Sequence, residues 1–315
     1  MEFKLLDKND FVKVLPQLTK LFQACFNQKV HNEYTEEAFI WRHIKNPFDD
    51  LLYCVALDNG KVVGSHAGMP CLMFINHKEV SAVIALQTAT HPDYQGQGIF
   101  SRLVKMLNSF VSEKGYKVIY NFPNHISHRT YVTRLDRKDI YEIPTMQLEL
   151  KNLNNISNVH LETDIGFEFN YDNFTATAEL NSVQKSQAYL RWRYKDNPIN
   201  TYFNFVLHNN RRISSFMVVK EYQNRLNIID FQAKDPEEGE YLLSGAFNFA
   251  KSLNLDLVTT WAPRHTFFHT MCEKYGFRNN VPITYFVMTN LTGGQIEIST
   301  NYSDWYIQLG DYNIY

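Results

Sequence analysis

Residues 91–103, HPDYQGQGIFSRL, place Gly96 and Gly98 between the apolar run SAVIALQTAT and the start of a helical pattern. A bend joining a strand to a helix N-terminus is an anion site. The first N–H groups of a helix have no intrahelical acceptor, and the helix dipole favours negative charge there. Glycine removes the side chains that would hold a bulky anion away. The ligand expected is a phosphate or pyrophosphate. The stretch lacks the Gly-Lys-Ser/Thr of a Walker loop, and Phe100 and Ser101 stand where a dinucleotide fold needs further glycine.

The elements that must position this bend occur twice. FIWRHIKNPFDDLLYCVALDNGKVVGS reads as a helix ending before Pro47, a strand over about Leu51 to Leu57, an Asn59-Gly60 turn and a second strand. LRWRYKDNPINTYFNFVLHNNRRISSF repeats that order: Trp192-Arg193 answers Trp41-Arg42, Asn197-Pro198 answers Asn46-Pro47, and Asn209-Asn210 supplies the turn. The register, 192 − 41 = 151, holds throughout without a gap. Each hairpin is then followed by an apolar strand, an amphipathic helix, a strand, a helix beginning near a proline and a last strand. The pattern predicts an α/β (α+β) chain of two tandem domains, residues 1–152 and 153–315, each a mixed, mostly antiparallel sheet flanked by helices. The polar, turn-rich KNLNNISN marks the boundary.

The chain of 315 residues carries 31 basic and 33 acidic residues, net charge −2, with no long run of like charge, so nothing marks a nucleic-acid or anionic membrane surface. Cys25, Cys54, Cys71 and Cys272 fit neither a zinc ribbon nor a redox pair, and no metal site is expected. The charged start MEFKLLDKNDF does not read as a signal peptide and no apolar run is long enough to cross a membrane, so a cytoplasmic location is the expectation. These balances favour a small-molecule partner; the oligomeric state is open.

HPDYQGQGIFSRLV resembles the acyl-CoA pyrophosphate loop of the GNAT acyltransferase superfamily, Gln/Arg-x-x-Gly-x-Gly/Ala, with Gln95 and Gly98 in place and Phe100 departing from the usual small residue. NHISHRTYVTRL resembles that superfamily's helix carrying Asn and Tyr beside the thioester. The resemblance implies a protein using acetyl-CoA or another acyl-CoA. Its pyrophosphate would be held by the amides of Gln97, Gly98, Ile99 and Phe100 in the segment Gln95–Ser101 that includes Gly96. The strand LQTAT, with Ala89 and Thr90, would pair with the pantetheine arm and polarise the carbonyl. Asn124 would bind near the pantetheine and Tyr131 would protonate the leaving thiolate; Tyr131 also has the spacing of a core ring. The second copy reads KDPEEGEYLL at the bend, and Asp235, Glu237, Glu238 and Glu240 there would repel phosphates, so it is expected to have lost CoA binding.

Acylation of an amine needs somewhere for the amine's proton to go. No carboxylate lies in VSAVIALQTAT; the nearest candidates are His66, whose ordinary pKa of about 6.5 suits a base, Gln87 as a positioner and His91 at the loop mouth. A lone histidine is also an ordinary structural residue. Trp41 and Trp192 could clamp a nucleotide or sugar, or pack as duplicated core residues. Asp304 and Asp311 in the C-terminal tail could meet an acceptor amine, or the tail could add a strand. Tandem chains with YLRWRY…NP and QGxGIF are similar to N-acyltransferases of nucleotide-linked amino sugars, which implies such an acceptor. The rival readings are an acyltransferase for an antibiotic, thiol precursor or protein amine, a non-catalytic CoA-binding regulator or scaffold, and aminoacyl transfer from tRNA, which the charge balance disfavours.

Overall fold

The structure, a computed structural model, describes residues 1–26, 32–153, 157–164, 166–168, 171, 179–209 and 212–312. Asn154–Ile156 of the expected boundary, Asn210 of the second hairpin turn and the last three residues of the tail lie outside them.

The first half runs β1 (Glu2–Leu5), α1 (Lys8–Cys25), α2 (Glu36–His43), β2 (Leu52–Asp58), β3 (Lys61–Ile75), β4 (Lys78–Thr90), α3 (Ile99–Glu113), β5 (Val118–Asn121), α4 (His125–Arg134) and β6 (Lys138–Glu149). The second runs β7 (Glu162–Thr163), β8 (Asn181–Val183), α5 (Gln187–Leu190) leading into a π-helical turn Arg191–Lys195, β9 (Phe203–Asn209), β10 (Arg212–Glu221), β11 (Leu226–Gln232), α6 (Pro236–Ser252), β12 (Leu257–Trp261), α7 (Phe267–Lys274) and β13 (Arg278–Asn290). The tail adds β14 (Trp305–Tyr306). Local chemistry sets several boundaries. Asp7 accepts from Asp10 N–H to start α1, and Thr35 accepts from Ala38 N–H to start α2. Asn59 and Gly60 have φ of 48° and 79°, the two left-handed residues that a tight hairpin turn requires.

One sheet crosses the whole molecule in the order β1-β2-β3-β4-β5-β13-β6-β12-β11-β10-β9-β7. Among the described residues only β4·β5, β11·β12 and β14·β8 are parallel, so the expected mixed, mostly antiparallel character holds. Under the repeat, β2 to β6 correspond to β9 to β13, and the order is then palindromic about β13·β6. The last strands are exchanged: β13 of the second copy pairs with β5 of the first, and β6 of the first pairs with β12 of the second. Cutting the chain at 152/153 therefore divides the sequence where the sheet itself does not divide, because strand pairing follows edge hydrogen bonding and not chain order.

A pseudo-two-fold axis passes between the duplicated tryptophans. Trp41 and Trp192 stack with ring centroids 5.2 Å apart, and each indole N–H donates to the other's carbonyl, at 2.9 and 3.0 Å. Both are buried within one apolar core that joins α1, α2 and the inner face of β2–β4 to the second copy. The opposite face of β2–β4 forms a separate core with α3.

Candidate active site

The glycine bend is tethered at its entry. His91 N–H donates to the Val63 carbonyl at 2.9 Å, the His91 ring accepts from Asp93 N–H at 3.3 Å, and Tyr94 donates to Asp58 at 2.9 Å. His91 is thus a turn residue. Gly96 and Gly98 follow with φ of 76° and 74°, and a Cβ built at either would meet nothing within 4 Å. The left-handed backbone is one that glycine adopts without strain, and the space beside both residues is open. Gly98 is the N-cap of α3 and no side chain caps that helix, whereas Asp7, Thr35, Asn124, Ser186, Asp235 and Thr266 cap the other α-helices. No acidic residue stands in its first turn. The first amides of α3 therefore lack a side-chain acceptor, and the positive end of the helix dipole lies at a bend with open space beside both glycines.

The sequence reading passed over Gly64, which sets this helix against the sheet. A Cβ at Gly64 would lie 2.6 Å from Ile99 Cγ2, so only glycine lets the first turn of α3 descend onto β3.

Beside the loop the sheet splays. β4 pairs with β5 only over Ala82–Ile84, and among the described residues no strand pairs with the rest of that edge. Between the paired part and the loop lies a β-bulge at Gln87–Thr88, opposite His66 on β3, where Gln87 has φ of 48°. A non-glycine residue held in the left-handed region is costly and persists only when its surroundings enforce it. Here Ser65 Oγ donates to the Gln87 carbonyl at 3.1 Å, and the Gln87 side-chain oxygen meets His43 Nε2 at 2.5 Å.

Four buried polar atoms on or beside the splayed strands have no hydrogen-bond partner: His66 Nε2, Gln87 Nε2, Asn121 Oδ1 and Arg137 Nε. Asn121 and Arg137 escaped the sequence reading because no motif contains them; their signal is burial, at 3% and 1% exposure. Arg137 donates to the Ile119 carbonyl at 2.9 Å and lies over the Tyr131 ring, 5.8 Å from its centroid.

Tyr131 sits at this place. It is buried, edge-on to Phe100 at 5.3 Å, with its hydroxyl against the Thr88 side chain. Burial raises its pKa, which keeps the hydroxyl protonated as a proton donor must be. Its helix is held by the exchanged strand: His128 stacks on Tyr285 of β13, centroids 3.8 Å apart, and its Nε2 meets Asp139 at 2.5 Å.

Other expected site residues are placed differently. His66 is fully buried with Nδ1 bonded to Thr88 at 2.7 Å, and burial lowers its pKa to about 3, so it is a neutral prop of the bulge rather than a base poised near neutrality. Asn124 is exposed but uses its side-chain Oδ1 to cap α4, accepting from Ile126 and Ser127 N–H at 3.1 and 3.0 Å. Gln87 is turned into the core towards His43. Trp41 and Trp192 fill each other's stacking faces and offer none to a substrate. Asp311 is buried, capping Gln308 N–H at 2.8 Å and ion-paired with Lys185, which also binds Asp230 at 3.0 Å; an acceptor amine would have to displace Lys185 to reach it. Burial raises its pKa.

The second copy has the same frame with its site filled. Leu226 pairs with Val258 as Ala82 pairs with Val118, which makes Phe231 the counterpart of Gln87. The tail covers that strand, Tyr306 and Gln308 donating to the Phe231 carbonyl at 2.6 and 3.0 Å. At the bend Asp235 caps Glu238 N–H at 2.9 Å, Pro236 removes one amide, and Glu237 and Glu238 occupy the first turn. The N-terminus of α6 is thus capped by its own carboxylate.

The model of the acetyltransferase (GNAT) domain family matches residues 12–134. No curated protein matches the sequence. Among solved structures, a GCN5-related N-acetyltransferase from Anabaena variabilis is 12% identical, with a TM-score of 0.70 over 92% of this chain and 73% of that one. A probable N-acyltransferase from Enterococcus faecalis is 10% identical, with a TM-score of 0.67 over 92% and 72%. The N-myristoyltransferase of Saccharomyces cerevisiae, solved with myristoyl-CoA, is 12% identical with a TM-score of 0.63 over 92% and 82%. At these identities the structural likeness is one of fold.

Proposed function

For a chain whose residues 12–134 match the acetyltransferase (GNAT) domain family, we propose that the first copy carries the reaction, moving an acyl group, acetyl foremost, from CoA to a primary amine of a small molecule. The observation that carries this reading is the uncapped, glycine-opened N-terminus of α3 beside the free edge of β4, set against a second copy in which Asp235 and the tail close the same two features. The residues present fit the cofactor. Amides of Gln97 to Ser101 would hold the pyrophosphate, and the open edge of β4 towards Ala89 and Thr90 would bond the pantetheine arm.

The amine nitrogen attacks the thioester carbon, the carbon–sulfur bond breaks, and the thiolate takes the Tyr131 proton. A strand amide near Ala89 or Thr90 polarises the carbonyl. The amine's proton leaves through water, since burial lowers the His66 pKa to about 3 and leaves it too weak a base to take that proton. A nucleotide-linked amino sugar is the acceptor that the sequence resemblance favours.

The test is amine-dependent release of CoA from acetyl-CoA by the full chain and Tyr131→Phe. Loss of the proton donor should lower kcat by about 10²-fold or more and leave the acetyl-CoA dissociation constant within about twofold. An unchanged kcat removes Tyr131 from the mechanism.

A further inference from the structure

The pseudo-symmetry offers a comparison at the arginines that follow the stacked tryptophans. In the second copy Arg193 is 3% exposed and its guanidinium donates to tail carbonyls, Tyr312 at 2.8 Å and Gly310 at 3.4 Å. These are the carbonyls of the segment that covers the second copy's groove. Arg42, its counterpart, is equally buried at 4% exposure, yet makes no hydrogen bond or ion pair among the described residues. Its guanidinium lies near the Trp41 ring, 5.4 Å from the centroid.

Five N–H donors on a buried cation are not left unpaired without a large desolvation cost. The charges nearby do not relieve it. Arg42, Arg193 and the buried Lys220 all act on Glu33; Arg193 is also offset by Asp230, which leaves Arg42 and Lys220 sharing Glu33. Arg42 acts electrostatically on His43 and Tyr53, and His43 binds Gln87, whose counterpart in the second copy is the residue that the tail covers. Arg42's nitrogens are not among the sealed, unpartnered atoms, so a ligand's oxygens can reach them as the tail's carbonyl oxygens reach Arg193.

We infer that Arg42 binds an oxyanion, a carboxylate or a phosphate, carried by the acceptor amine. The assignment to the acceptor rests on the transfer reaction proposed above; the oxyanion site itself does not. A planar guanidinium presents a fork of donors that matches either group.

The test uses the full chain with Gly98→Trp, which closes the α3 loop to phosphates, in a buffer free of other oxyanions. Calorimetric titration with inorganic phosphate should show one site per chain. Binding should be at least tenfold weaker when Arg42→Met is added and partly restored by Arg42→Lys, with melting temperatures confirming that each variant is folded. No phosphate binding, or equal binding with Arg42→Met, overturns the site. Glucosamine and glucosamine 6-phosphate then distinguish the sources. At least tenfold tighter, Arg42-dependent binding of the phosphorylated amine supports the acceptor, and equal binding of the two amines, with phosphate still bound, overturns that assignment in favour of a free anion. Acetyl-CoA binding, lost in Gly98→Trp but kept by Arg42→Met alone, reports separately on the cofactor reading.

Discussion

His66 and His43 show how far environment reshapes a side chain whose type alone suggested chemistry. Both are buried beside the Gln87 bulge, and burial lowers each pKa from 6.5 to about 3. The sign of the linkage follows. Below about pH 6.5 the unfolded chain binds protons at these positions and the folded chain does not, so stability is present above the unfolded pKa and falls as pH drops towards 3. Each histidine should remove about 1 kcal/mol between pH 7 and pH 5.5. Urea unfolding at the two pH values should therefore show a smaller loss in His66→Asn than in the parent, and an equal loss would mean that His66 is protonated in the fold. The glycines were legible from sequence because their meaning is local: a left-handed bend before a helix can be recognised from spacing. The fate of His66, Asp311 and the tryptophans was not, since each depends on what folds over it from elsewhere, namely α3, Lys185 and the other copy.

Helix α4 owes its position to a strand far away in the chain. The helix that carries Tyr131 to the bulge rests on β13 through the His128–Tyr285 stack, and β13 belongs to the second copy. This gives the second copy a task in the first copy's site even though its own loop is closed. Tyr285→Ala leaves the strand's backbone pairing intact while removing the stack. It should lower kcat by about 10-fold or more, as misplacement of a reacting group does, with acetyl-CoA affinity nearly unchanged. Equal losses in affinity and turnover would point to general destabilisation. Sequence periodicity identified β6 and β13 as strands, yet alternation says nothing about which edge a strand joins, and either could have closed its own copy's sheet.

Across the whole molecule, duplication explains features that no single motif does. The 151-residue register visible in WR…NP is the register that brings Trp41 onto Trp192 across the pseudo-two-fold axis, so residues matched in sequence also meet in space. The exchange of β6 and β13 makes each half incomplete. Residues 1–152 alone would leave β5 without Val287–Asn290 and β6 without either neighbour, exposing long unpaired edges. That fragment should not give a soluble monomer with cooperative unfolding, and co-expression with residues 153–315 should restore one. A stable isolated fragment would show that the exchange is dispensable.

The account turns on the first copy holding acyl-CoA at the α3 loop while the second copy holds none. Calorimetric titration of acetyl-CoA into the full chain and into Gly98→Trp tests this most directly. Space is open around Gly98, so the bulky residue should obstruct the pyrophosphate at the cost of local backbone strain, about 1 kcal/mol. One site per chain, lost in a folded variant, is the predicted result. Two sites per chain, no binding, or undiminished binding by Gly98→Trp would contradict it.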